Sequence, residues 1–191
     1  MRVTFLRLPD HRWGHVLIER DDHVVYRMNA GPITAAIPHD LVHFTVEDAL
    51  RIGDGIWGAI AGGVVFRSMT HVSGRRPPHA ADRSAELIRA NRGRLQRAEL
   101  IGGFVEAAAH AKDGDLAALH KQWFATQEDA PDVPAVELAV AALRRAEERW
   151  RAIPVGGELT VQWPATRRLP APAARHGSPS GKSERRRRSM S

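Results

Sequence analysis

Apolar residues alternate with polar ones near both ends of this chain, and between the ends they recur at helical spacing. Residues 2–8 (RVTFLRL), 15–20 (HVLIER) and 23–28 (HVVYRM) are short and rich in β-branched and aromatic side chains, which reads as strand. Asp21-Asp22 supplies a tight hairpin between the second and third. Near the other end Leu159 to Trp163 (LTVQW) alternates in the same way and follows a Gly156-Gly157 break. A last strand that returns to cover the open edge of an N-terminal sheet leaves the intervening segments to form helices on it. The expected class is α+β: a small antiparallel sheet of three N-terminal strands and one C-terminal strand, packed with four to five helices.

The helices follow from punctuation and stripe. Pro38 suits the first helical position, and the helix it opens runs to about Arg51. Past Gly53 a short helix over Gly55 to Val65 is expected, with Asp54 as its cap. From about Asp82 to Lys112 the chain reads helical, with Leu87, Ile88, Leu95, Ile101, Phe104 and Val105 as core positions. Gly93 or Gly102-Gly103 are its expected breaks. A helix with Leu116, Leu119 and Trp123 on one stripe follows Asp113-Gly114-Asp115. The last begins at Asp132-Val133-Pro134 and spaces Val136, Ala139, Val140, Leu143, Ala146 and Trp150 for burial.

Charge divides the chain. The formal net charge is +6 over 191 residues, yet the residues from Ala165 onward hold eight basic side chains against Glu184 alone. The part before them is therefore close to neutral. This predicts a single globular domain over residues 1–164 and a basic tail over 165–191 too poor in apolar residues to order itself. Arg185, Arg186, Arg187 and Arg188 are the tail's candidate contacts to nucleic acid or another polyanion. There is no cysteine, which excludes disulfides, a thiol nucleophile and Cys-ligated zinc, and fits a cytoplasmic location. The first residues lack the apolar run of a secretory signal. The longest apolar stretch, Gly55 to Phe66, is well short of the roughly 20 residues that span a membrane.

One helix concentrates ligand chemistry. With His39 at zero, and about 100° per residue, His43 falls near 40°, Glu47 near 80° and Asp40 near 100°. Histidines at i and i+4 can grip one divalent ion, and a carboxylate a turn on can add a third ligand or act as a general base. His39, Asp40, His43 and Glu47 are accordingly the candidate metal ligands, with Glu47 also the candidate catalytic base, for a metal-binding protein or metal-dependent enzyme. The helix dipole at its first turn disfavours a charged His39, which keeps the ring neutral as a metal needs. A purely structural use competes: Asp40 complements the dipole, the histidines hydrogen-bond neighbouring strands, and Glu47 pairs with Arg51 at i,i+4.

HDLVH resembles the HDxxH signature of the coenzyme Q assembly family related to ubiquinone biosynthesis. That resemblance implies an all-helical, metal-associated protein with a glutamate twelve residues after the second histidine. Here Gly55 holds that place, with Asp54 one short, and the strands depart from an all-helical pattern. PHDLVHFTVE together with GIWGAIAGG also resembles uncharacterised bacterial proteins of similar length, which implies no activity.

Two other patterns carry less. Gly53 to Gly58 matches GxGxxG, but a helix precedes it where a nucleotide fold needs a strand, so close helix packing at Gly58 and Gly62 explains it better. Arg75, Arg76, Arg83, Arg89, Arg92, Arg94 and Arg97 make a basic stretch that Glu86 and Glu99 dilute, as on a solvated helix face. His71, His79, His110 and His120 are scattered, and any one of them could complete a metal site.

Overall fold

Five strands form one antiparallel sheet in the order β4-β3-β2-β1-β5. They are β1 (Arg2–Leu6), β2 (Trp13–Glu19), β3 (Val25–Pro32), β4 (Met69–Ser73) and β5 (Glu158–Gln162) in a computed structural model that describes residues 1–9, 13–32, 37–111, 115–127 and 129–170. The alternation read from sequence sets the register. Val3 stands opposite Ile18 and Ile18 opposite Tyr26, while Phe5 stands opposite Val16 and Leu159, and Val16 opposite Met28. All of these side chains are buried, so one face of the sheet is apolar from β3 to β5. The β2–β3 hairpin closes at Asp21-Asp22 as expected: Asp22 Oδ1 accepts the Val24 N–H at 3.3 Å, and His23 takes a positive φ of 62°.

β5 pairs with β1, the closure expected from its alternation. β4 is the strand that sequence did not predict. Only Met69 of its five residues is buried, so no apolar alternation announces it. What makes it a strand is its ladder to β3, with Met69 opposite Met28 and His71 opposite Tyr26.

Six helices are described: α1 (His39–Ala49), α2 (Ile56–Ala61), α3 (Ala80–Ala90), α4 (Arg92–His110), α5 (Leu116–Trp123) and α6 (Val133–Ala152). α1 lies in the middle, touching β3 on one side and α4 and α6 on the other. Phe44 of α1 and Trp57 of α2 meet Phe5 edge-on, with ring centroids 6.2 and 5.9 Å away, which locks the helices to the sheet. Asp132 caps α6 by accepting the Ala135 N–H at 2.8 Å, and Val136, Ala139, Val140, Leu143 and Trp150 are buried as their spacing predicts.

Several features differ from the sequence expectation. The long helical stretch breaks at Asn91, whose Nδ2 donates to the Leu87 carbonyl at 2.9 Å, and runs unbroken through Gly93, Gly102 and Gly103. Trp123 is 36% exposed, and its neighbour Phe124 takes the buried place against Phe104. Residues 165–170, assigned to the tail by composition, pack on the body: Leu169 is buried with Ala59, Val64 and Leu87, and its N–H donates to the Gly58 carbonyl at 3.0 Å. Residues 171–191, including Arg185 to Arg188, lie outside the described residues. No helix among the described residues is long and apolar enough to cross a membrane.

Candidate metal centre

His39 is the first residue of α1, immediately after Pro38, and His43 follows one turn later. The two rings lie 4.5 Å apart between centroids, with their Nε2 atoms 3.3 Å apart. Glu99 reaches the same point from α4, placing Oε2 3.3 Å from His43 Nε2. Donor atoms of His39, His43 and Glu99 all lie within 4.8 Å of one another. A tetrahedral ion with bonds of about 2.0–2.2 Å holds its ligand atoms roughly 3.3–3.6 Å apart. Two of the three edges are thus already near ligand spacing, and the half-exposed Glu99 side chain can close the third.

A glycine makes this convergence sterically possible. A Cβ on Gly102 would sit 2.5 Å from His43 Cε1 and 2.7 Å from its Nδ1, so α4 passes the imidazole with only backbone beside it. Glu99 stands three residues earlier on the same helix face. His43 is 2% exposed, and its Nδ1 has no hydrogen-bond partner among the described residues. The ring is therefore held through Nε2 alone. That single nitrogen faces both His39 Nε2 and Glu99 Oε2, and one N–H cannot satisfy both. A cation between the three atoms can.

Burial pulls the His43 imidazolium down, but the Glu99 hydrogen bond and the charges of Glu99, Glu47 and Asp40 outweigh it, so His43 titrates above its usual value. The same hydrogen bond to His43 holds the Glu99 carboxyl below its usual value, against partial burial.

Glu47 serves a different end. Its oxygens accept the N–H groups of Ile56 at 2.9 Å and Trp57 at 3.0 Å, so it caps α2 from a neighbouring helix. Asp54, the cap expected from sequence, instead faces Arg94 at 3.5 Å, and the expected Glu47–Arg51 pair is replaced by these amide contacts. Burial pushes the Glu47 carboxyl up to about 7, against the pull of the two amides and of His43. Gly55 leaves the room: a Cβ there would be 2.5 Å from the Glu47 carboxyl carbon. Asp40, the remaining member of the stripe, receives the Trp57 indole N–H on its backbone carbonyl at 3.2 Å.

Asp40 and Glu99 both line a cleft of about 680 Å³ whose other walls are mostly apolar. A slightly larger groove, about 770 Å³, runs between α1, α6 and β5 but includes none of the donor residues. The former is therefore the cleft that adjoins the donor cluster, through Glu99.

Of the four residues on the sequence stripe, His39 and His43 join the donor cluster, while Glu47 and Asp40 are not among its three ligand groups. Glu99 was missed by sequence reasoning. Gly102-Gly103 inside a long helix is the signal that could have found it, because paired glycines mark a close approach and Glu99 shares their turn. The scattered histidines have other partners: His71 the Gly74 carbonyl, His110 the Glu147 carboxylate, His120 the Pro131 carbonyl and His79 the Asp82 carboxylate. Among the basic stretch, Arg94 pairs with Asp54 and Arg97 donates to the Asp129 carbonyl. Comparison with protein-family models, curated proteins and solved structures finds no match to this chain.

Proposed function

We propose that this chain binds one divalent transition-metal ion through His39, His43 and Glu99, and uses its open coordination positions as a Lewis-acid centre. The observation that supports this reading is the meeting of three donor atoms, from two helices, within 4.8 Å. Two imidazoles and one carboxylate form the donor set of open zinc sites and of non-haem iron(II) sites. Three protein ligands leave room for water or substrate, and a bound water at such an ion is acidified towards neutral pH. Glu47 is assigned to the scaffold, as the cap of α2, and Asp40 to the wall of the adjoining cleft.

The test is metal uptake by the full chain after chelator treatment and dialysis, titrating zinc and, anaerobically, iron(II). One equivalent is expected to bind, with His39→Ala and Glu99→Gln each weakening the affinity at least tenfold. Absence of saturable uptake, or uptake indifferent to Glu99, would overturn the assignment.

A further inference from the structure

We infer that the cleft beside Glu99 is a site for a small amphiphilic carboxylate, its head on the metal centre and its apolar body along the cleft. This rests on the metal reading above and adds the class of ligand. Three observations lead to it. Glu99 belongs both to the donor cluster and to the cleft wall, so an ion held there has the cleft as its neighbour. Ile56, Val65, Phe66 and Leu95 are half-buried members of its lining, beside Met28, Ser68 and Ile88, and they leave apolar surface for an apolar ligand to cover. The volume, about 680 Å³, lies within the range of small-molecule sites.

Charge selects the head group. A divalent ion offsets Glu99 and Asp40, and Arg67 at the cleft adds a positive charge that pairs with no carboxylate among the described residues. The occupied site would thus carry a net positive charge facing an apolar space. A carboxylate answers both parts, as an oxygen ligand for the ion and as a partner that a guanidinium can grip through two hydrogen bonds. A neutral alcohol of the same length meets only the apolar requirement. A short carboxylate meets only the charge.

Calorimetric titration of the zinc-loaded full chain with octanoate, acetate and octan-1-ol separates these contributions. Octanoate should bind at least tenfold more tightly than either control, and removing zinc should cost octanoate at least tenfold. Leu95→Ala, outside the donor set and adding no charge or ligand atom, should weaken octanoate at least tenfold with zinc uptake unchanged. If zinc binds normally but octanoate is no tighter than acetate, the cleft assignment fails and the metal reading survives. Equal octanoate binding with and without zinc would overturn the placement of the head on the ion. Failure of zinc uptake itself would remove the basis of both. The wild-type comparison stands even if Leu95→Ala does not fold.

Discussion

Replacing Glu47 by glutamine separates two opposing contributions of one buried carboxyl. Glu47 is 1% exposed and accepts two main-chain N–H groups, from Ile56 and Trp57. Glutamine keeps the shape but offers one carbonyl and an NH₂ group, so one of the amides loses its acceptor. Stranding a buried donor costs about 1–3 kcal/mol. The other contribution depends on pH. Because burial raises the carboxyl from 4.5 to about 7, the folded protein holds a proton there that the unfolded chain releases between those pH values. Unfolding then gains from rising pH: stability is highest below about pH 4.5 with respect to this group and falls as pH passes through 7. A shift of this size corresponds to about 3 kcal/mol once Glu47 is fully ionised.

The two effects predict a crossover. At pH 5 wild-type Glu47 is protonated when folded, and Glu47→Gln should be less stable by about 1–3 kcal/mol. At pH 8 the wild type carries the cost of the buried charge and the variant does not. The variant should then be equal to it or more stable. Urea unfolding of both proteins at pH 5 and pH 8, with chelator present, gives the difference, and titrating groups that do not interact with Glu47 cancel between them, His43 being the neighbour that does interact. A stability difference independent of pH would refute the raised carboxyl. No loss at pH 5 would refute the role of Glu47 as the cap of α2.

Other substitutions test the geometry around the centre. Gly102→Ala should destabilise by about 1–3 kcal/mol and weaken zinc binding, since its Cβ would lie 2.5 Å from the His43 ring, as read from thermal melts and metal titration. Gly103→Ala is its control: the new Cβ meets only Trp123 carbons at 3.8 and 3.9 Å, so the helix should gain up to about 1 kcal/mol. Leu169→Ala should cost about 2–5 kcal/mol in urea unfolding, because Leu169 is 2% exposed although composition places it in a tail. Trp57→Phe should cost about 1–2 kcal/mol by removing the indole N–H from the Asp40 carbonyl, with the melting temperature as readout.

The sequence makes legible those elements whose side chains advertise their own burial. β1, β2, β3 and β5 alternate because one face of the sheet is the core, and α6 carries its stripe and its Asp132 cap in plain view. β4 does not, because its strand character comes from hydrogen bonds to β3, not from buried side chains. Leu169 is lost in the reverse way. One apolar residue among Pro, Ala and Arg has no period, and only its contacts with Ala59, Val64 and Leu87 reveal it.

The candidate site divides along the same line. His39 and His43 are legible because their relation is local, fixed by one helical turn. Glu47 lies on that stripe by the same arithmetic, yet periodicity cannot show that α2 begins on a glycine with no side-chain cap of its own. The unsatisfied amides of Ile56 and Trp57 are buried against α1, and a buried carboxylate from that helix satisfies both. With Glu47 committed there, the carboxylate for His43 has to come from another element, and only the crossing of α4 decides which. Gly102 fixes that crossing by letting main chain lie against imidazole, and Glu99 arrives as a consequence, one turn away on the same face. A helix stripe can thus name the residues that share a surface, but the partner helix determines which of them share a ligand.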